Sequence, residues 1–229
     1  LGVIPARLGS TRLPRKVLRE IQGKLLVEQV YRRACQSRSL NELYVATDSE
    51  EVLRACEKRK IPALMTSEKH PSGTDRIYEV MKKKPADIYV NIQGDEPLVR
   101  AEHLETLLKP FSTQKEVRVS TLKTKISAEA AKSPNVVKVV TNKEGWGLYF
   151  SRSLIPFSAK GGSASGGNRD GSSPEIVYKH LGFYAYTAAA LEKFHNLPPS
   201  FLEQREKLEQ LRFLENGIPI FVAETPFDT

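Results

Sequence analysis

Apolar positions along the chain fall into short continuous runs that alternate with stretches of helical spacing. Leu1–Ile4 is an apolar run, and Leu25–Arg38 carries Leu26, Val30 and Ala34 on one helical face. Leu43–Thr47 reads as a buried strand, Glu50–Arg59 as a helix, Pro62–Met65 as a strand, Asp75–Lys84 as a helix and Ile88–Ile92 as a fourth strand. A helix over Ala101–Phe111 follows. This strand–loop–helix repetition predicts an α/β fold with a largely parallel sheet. From Val117 onward the texture changes. Val117–Thr124 alternates, Val136–Thr141 is β-branched, and Val177–Tyr186 alternates aromatic with aliphatic residues, so these read as strands, some of them antiparallel. Glu203–Glu215 reads as one helix with Leu208, Leu211 and Leu214 inward and Asn216-Gly217 as its cap, before a last strand at Ile218–Val222.

Ser158–Pro174 interrupts this order with a run dense in glycine and serine. It cannot bury enough apolar area to offset its ordering entropy, so it reads as a flexible loop within one domain spanning residues 1–229. The length of 229 residues is enough to build a core without covalent staples. With only two cysteines, Cys35 and Cys56, neither a disulfide framework nor a cysteine-built zinc site is expected. No apolar run approaches the roughly 18 residues that cross a bilayer.

Thirty-five basic against 27 acidic residues leave a net charge of +8, which points to an anionic partner without naming it. The distribution is more informative. Arg7, Arg12, Arg15 and Lys16 lie within ten residues directly after the first strand, interleaved with Gly9, Ser10 and Thr11. Small residues that let backbone N–H groups approach, together with cations, suit a phosphate group, and the end of the first strand of an α/β sheet is where such folds bind ligands. Neither the GxxxxGK[ST] nor the GxGxxG spacing is present, which removes the main support for a P-loop or a dinucleotide fold. At the end of the fourth predicted strand, Gln93-Gly94-Asp95-Glu96-Pro97 offers a carboxylate of the kind that holds Mg²⁺ alongside substrate phosphates. In His70-Pro71-Ser72-Gly73-Thr74-Asp75-Arg76, Ser72 or Thr74 can cap the next helix and Asp75 suits its first turn, whereas Gly73 and Arg76 are not explained by capping.

These three segments, in order, resemble the 3-deoxy-manno-octulosonate (Kdo) cytidylyltransferases. Ile4–Lys16 matches the family's opening, and His70–Arg76 and Gln93–Pro97 match its next two motifs. Pro134-Asn135, Val137–Val140, Leu148–Arg152, Ile155-Pro156, Lys179–Tyr184 with Tyr186, and Leu208–Arg212 extend the likeness over nearly the whole chain. The resemblance implies a three-layer α/β fold, a mostly parallel mixed sheet of the Rossmann-like nucleotide-diphospho-sugar transferase type, with a smaller antiparallel subregion for dimerisation and sugar binding. It implies a Mg²⁺-dependent enzyme that couples CTP to Kdo for lipopolysaccharide synthesis. The expected partners are CTP, Kdo and a second copy in a homodimer, in the cytoplasm, with no nucleic acid and no membrane.

By that resemblance Arg7, Arg12 and Lys16 meet the triphosphate with help from Gly9, Ser10 and Thr11. Ser72, Gly73, Arg76 and Gln93 line the nucleotide side, and Asp95 holds the metal; Lys16, Arg12 and Asp95 form the catalytic set. Arg15 occupies a variable position and is given no role. Arg152, His180, Tyr184, Glu209 and Gln210 are the candidates for the sugar. From spacing alone, Arg152 can equally close a surface pair, and His180 and Tyr184, four apart in a strand, can share a core face with the Tyr184 hydroxyl satisfied by backbone. One of Glu209 and Gln210 can simply face solvent. His103 and His195 read as surface residues on helices. The family's second metal-binding aspartate is not matched at Asp228 and is expected beyond residue 229. Two other readings stay open: a cytidylyltransferase for another acidic sugar, and a basic nucleic-acid-binding module, the latter weakened because Trp146, Tyr149 and Phe150 cluster in one strand instead of spreading along a basic face.

Overall fold

The computed structural model describes residues 1–9, 15–157 and 176–229. Strand β1 (Gly2–Pro5) leads through a 3₁₀ turn at Lys16–Leu18 into a small hairpin, β2 (Glu20–Ile21) and β3 (Lys24–Leu25), and then helix α1 (Leu26–Ala34). Next come β4 (Leu43–Thr47), α2 (Glu50–Glu57), β5 (Ala63–Met65), α3 (Gly73–Lys83), β6 (Ile88–Asn91) and α4 (Ala101–Thr113). The later part holds β7 (Val119–Ile126), α5 (Ala128–Ala131), β8 (Lys138–Thr141), β9 (Gly147–Ser151), β10 (Val177–Thr187), α6 (Ala188–Asn196), α7 (Phe201–Glu206), α8 (Leu211–Glu215) and β11 (Phe221–Glu224).

Among the described residues the main sheet runs β11-β7-β10-β6-β1-β4-β5, with β8 branching from β10 and β9 pairing with β8. The pairs β6–β1, β1–β4, β4–β5 and β11–β7 are parallel, while β10 is antiparallel to both β6 and β7. The sheet is therefore mixed and mostly parallel, and the β8–β9 hairpin is the antiparallel subregion. The chain moves from β1 to one side of the sheet and returns to its other side at β6, so the loop after β1 lies at the topological switch point.

Alternation along the central strands builds two cores. Ile4, Val45 and Val90 pack on one face with Val27, Val30, Val52, Leu104 and Leu107 from α1, α2 and α4. Their neighbours Val3, Ala46 and Tyr89 pack on the other with Ile77, Val80, Leu191, Phe194 and Phe213 from α3, α6 and α8. Both faces are covered, which is why the parallel strands read as unbroken apolar runs. The predicted inward positions of α1, Leu26, Val30 and Ala34, are all buried. No helix among the described residues is long and apolar enough to cross a membrane.

Several boundaries differ from the sequence expectation. The predicted helix Glu203–Glu215 is two helices: Lys207 takes a left-handed conformation (φ 56°) and ends α7. The cause is a paired side chain. The Arg212 guanidinium donates to both Glu203 carboxylate oxygens at 2.6 and 2.7 Å, whereas residues nine apart in one straight helix lie about 13 Å apart along its axis. The last strand starts at Phe221, three residues later than expected, and Trp146 bridges to Phe221 just before β9. Helix α6, the helix on which His195 was expected, had no predicted bounds; Thr187 caps it by accepting the Ala190 N–H at 3.3 Å. Ser158–Pro174 lies outside the described residues.

Gly94, directly beyond β6, is forced to lack a side chain. A Cβ there would sit 2.6 Å from the Pro5 carbonyl oxygen. Gly94→Ala must push apart the ends of β1 and β6, an overpacking that costs about 1–3 kcal/mol. Chemical denaturation is expected to show that loss; a stability equal to the parent would mean that the two strand ends are not held this close.

Candidate active site

The two chemistry-bearing segments meet at the tips of β1 and β6. After β1 the backbone stays paired for one more residue, Ala6 N–H donating to Ala46 O at 2.8 Å, and then leaves the sheet at Arg7. Arg7 is half-buried, and its Nη2 is buried without a hydrogen-bond partner among the described residues. Buried Val17 anchors the 3₁₀ turn that presents Lys16. The Lys16 ammonium reaches the Asp95 carboxylate at 2.7 Å, with both side chains partly exposed. Beside Asp95, burial raises the Glu96 carboxyl, and the Asp95 charge adds to that. Arg15 pairs with Glu51. A Cβ on Gly9 would meet nothing among the described residues. Ser10, Thr11 and Arg12 lie outside the described residues.

The start of α3 forms the adjoining wall. Ser72 accepts the Asp75 N–H at 3.2 Å and donates its hydroxyl to Asp75 Oδ2 at 2.7 Å, so the capping reading of Ser72 holds. Gly73 packs on the Pro5 ring. Arg76 is fully buried and donates to Asp48, at 2.6 Å, and to Thr66. Burial and the nearby Arg7 charge lower its affinity for its proton, against the pull of Asp48. Arg76 is thus committed inside the protein and stands behind Arg7. Gln93 donates to the Gly182 carbonyl at 3.0 Å, joining the end of β6 to β10.

The residues expected around the sugar gather on β10 and the turn between α7 and α8. A register shift between Leu181 and Tyr184 interrupts the β10–β7 ladder, yet the His180 and Tyr184 rings still meet at 5.4 Å. His180 is buried, shares a hydrogen bond with Thr121 Oγ1 at 3.0 Å, and is held down to about 3 by burial and by the Lys179 charge, so it is a neutral imidazole at physiological pH. The Tyr184 hydroxyl is buried but makes no hydrogen bond among the described residues, against the expectation of a backbone partner. Thr74 donates to Glu209, and burial raises the Glu209 carboxyl against the pull of that hydrogen bond. Gln210 is buried, with Nε2 unpartnered among the described residues. Neither Glu209 nor Gln210 is a solvent-facing helix residue: the break at Lys207 turns both inward. Arg152 follows β9, and its guanidinium donates to Glu206 O at 2.9 Å and Pro134 O at 3.1 Å. Its backbone is pinned by Lys138, a fully buried ammonium held by the carbonyls of Ser133, Val136 and Arg152.

One histidine departs from expectation: His103 is fully buried at the start of α4. His195 is exposed on its helix, as expected, where it stacks on Tyr78 and pairs with Asp75 at 2.9 Å. Sequence reading also missed Glu96, Thr74 and Thr121. Glu96 stood in plain view beside Asp95, whereas Thr121 sits in an ordinary alternating strand and carries no local signal.

No group of three or more His, Cys, Asp or Glu side chains among the described residues converges as a metal cage. The exposed Asp95 carboxylate, with Glu96 beside it and the Lys16 ammonium against it, fits Mg²⁺, which takes one or two carboxylates and draws its other ligands from phosphates and water. A cleft of about 480 Å³ lined by Leu1, Leu40, Asp87, Ile88 and Phe111 lies at the opposite, amino-terminal ends of the strands, where such folds do not bind their ligands.

Lys16 meets Asp95 across the tips of neighbouring parallel strands, at the edge of the sheet where α/β folds bind ligands, and its relatives make the protein a nucleotidyltransferase. The sequence profile of the cytidylyltransferase family matches residues 1–220. The 3-deoxy-manno-octulosonate cytidylyltransferases of Koribacter versatilis and Acidobacterium capsulatum are 50% and 51% identical over all of this chain, which covers 83% and 89% of theirs. The structure of a CMP:2-keto-3-deoxy-manno-octonic acid synthetase complexed with CTP superposes with a TM-score of 0.89 at 44% identity, covering 98% of this chain and 89% of that one. A Bacillus anthracis protein assigned as a glucose-1-phosphate thymidylyltransferase shares the fold, with a TM-score of 0.60 at 15% identity and coverage of 98% and 86%. The chain belongs to the 3-deoxy-manno-octulosonate cytidylyltransferase family.

The loop leading into α3 depends on Glu79. Burial pushes its carboxyl up, but hydrogen bonds from Lys83, the Ser67 N–H and His70 outweigh this and hold it down, from 4.5 to about 2. A depressed carboxylate stabilises the fold fully above its unfolded pKa, and that contribution fades as pH falls from about 4.5 toward 2. Glu79→Gln should therefore cost on the order of 2 kcal/mol at pH 7, with a gap to the parent that closes as the solution is acidified. A gap independent of pH in urea titrations would show that the charge at Glu79 is not what matters.

Proposed function

We propose that the protein transfers the cytidylyl group of CTP to Kdo, forming CMP-Kdo and pyrophosphate. The observation that carries this reading is the 2.7 Å contact of Lys16 with Asp95 at the tips of adjacent strands, together with the family membership. The sugar's anomeric hydroxyl oxygen bonds to the α-phosphorus as the bond to the bridging oxygen of the β-phosphate breaks; pyrophosphate leaves and the hydroxyl proton is released to solvent. Such chemistry asks the protein mainly for positioning and for charge stabilisation.

Lys16, Arg7 and Arg12 neutralise the triphosphate, assisted by the backbone of Gly9, Ser10 and Thr11. Asp95 holds Mg²⁺, which when bound withdraws charge from the phosphate oxygens and orients them. An exposed ion pair such as Lys16–Asp95 is worth about 0–1 kcal/mol, so exchanging one partner for a phosphate or a metal costs the protein little. Gln93, Ser72 and Gly73 border the nucleotide, with Arg76 supporting them from behind. Neutral His180, the Tyr184 hydroxyl, Glu209 and Gln210 hydrogen-bond the sugar hydroxyls, and Arg152 attracts its carboxylate. The same reading makes the protein a cytoplasmic homodimer that feeds lipopolysaccharide synthesis. The region after Val117 is the contact, where Leu148, Leu154, Phe157 and Ile176 are exposed.

Incubating the full chain with CTP, Kdo and Mg²⁺ should release pyrophosphate, and silence in that assay would end the proposal. Running the amino analogue of Kdo beside it separates this reading from a cytidylyltransferase for another acidic sugar. Asp95→Asn is expected to lower kcat by about 100-fold or more with unchanged thermal stability; a retained Mg²⁺-dependent rate would move the metal elsewhere. Arg152→Ala should raise the KM for sugar more than that for CTP, and the reverse pattern would assign Arg152 to the nucleotide.

A further inference from the structure

His103 is the third residue of α4 and joins two segments of chain that share no ladder. Its Nδ1 lies 3.2 Å from the backbone N–H of Arg100, so that nitrogen accepts. The ring proton is therefore on Nε2, which points at the Phe227 carbonyl oxygen 3.2 Å away. The ring stacks on Phe183 at 5.5 Å and meets the Phe227 ring at 6.2 Å, while the Arg100 guanidinium covers Phe227 at 4.9 Å.

Both partners belong to segments that end at the proposed metal face. Arg100 closes the loop that leaves β6 through Asp95 and Glu96. Phe227 precedes Asp228, whose carboxylate receives the Lys179 ammonium at 2.6 Å. Upstream, Thr225 N–H pairs with Lys123 O at 2.9 Å as the last step beside β7. Beyond Thr225, the contacts from this segment to other parts of the described chain run to His103, to Lys179 and, through Thr229, to Glu96 beside Asp95. His103 is the link that holds Phe227, and it joins the Arg100 end of the Asp95 loop to the 225–228 segment.

We propose that His103 is a positioning residue that sets the separation between the Asp95 carboxylate and the 225–228 segment, and through it the affinity of the enzyme–CTP complex for divalent metal. The inference rests on the reading of Asp95 as the metal ligand. A histidine serving only as core filling would be replaceable by leucine without effect, because the two are close in volume. A joint is not: leucine leaves the Arg100 N–H and the Phe227 carbonyl without partners.

The test compares His103→Leu, His103→Gln and Asp95→Asn in the full chain. Glutamine can accept from Arg100 through Oε1 and donate to Phe227 through Nε2. The leucine variant should raise the Mg²⁺ concentration for half-maximal pyrophosphate release about ten-fold while the CTP KM at saturating Mg²⁺ stays put, and glutamine should restore it to within about two-fold. Amide hydrogen exchange, read without CTP or metal, should quicken across 225–228 in the leucine variant and not in the glutamine variant. Parental Mg²⁺ response and parental exchange in His103→Leu would overturn the proposal. An unaltered Mg²⁺ response in Asp95→Asn would instead sink the metal assignment, and the exchange data would still decide whether His103 holds the segment. Should the leucine variant fail to fold, His103→Glu, which accepts from Arg100 but cannot donate to Phe227, takes its place with the same two outcomes.

Discussion

Strands β1 and β6 leave the sheet side by side, and the carbonyl of Pro5 occupies the space where any side chain on residue 94 would begin. This close approach governs the rest of the site. It brings the turn that carries Lys16 within reach of Asp95, one residue past Gly94, and lets the start of α3 pack on Pro5 through Gly73. Parallel strands alone place their carboxyl ends on one edge of the sheet. The missing Cβ turns that general proximity into a 2.7 Å contact.

Behind this exposed pair lies a layer of polar side chains that owes its arrangement to an interrupted helix. Continuous α-helix through residues 203–215 would carry Arg212 away from Glu203 and spread Glu209 and Gln210 around a helix surface. Because Lys207 adopts a left-handed conformation, Arg212 folds back onto Glu203 and the intervening turn faces Thr74, Tyr184 and Tyr186. The buried Arg212–Glu203 pair is the kind of interaction whose rupture costs several kcal/mol, since it would leave a charge uncompensated in the interior. It holds the turn in place independently of any ligand.

The parallel half of the fold was legible because β1, β4 and β6 are buried on both faces and read as unbroken apolar runs, with amphipathic helices between them. The convergence of Lys16 and Asp95 was legible too, since a switch point after β1 forces the tips of β1 and β6 together whatever the loop sequence. Family likeness, more than periodicity, pointed to His180, Tyr184, Glu209 and Gln210. What escaped was set by contacts distant in sequence. The break at Lys207 has no glycine or proline to announce it and follows from Arg212 reaching Glu203. His103 looks like a polar surface residue until α4 is packed, when it finds Arg100 and Phe227. The start of helix α6 was hidden because the apolar run of β10 passes into it with only Thr187 as a stop signal.

The site therefore divides into a wet, charged side and a dry, neutral side. Lys16 and Asp95 stay partly exposed, so either can exchange its partner for a ligand at small cost. His180 and Tyr184 are buried and Glu209 is half-buried, and in each case desolvation favours the uncharged form: the imidazole is held down, and the phenol and carboxyl are pushed up. A ligand made mostly of hydroxyl groups suits such a surface, because neutral donors and acceptors bond it without requiring a charge to be desolvated. The two sides call for different solvents, and the β1–β6 tip is where they meet. In the reaction proposed above, a group attacking from the dry side would reach a phosphorus held on the wet side, with the developing charge directed toward cations that water already helps to stabilise.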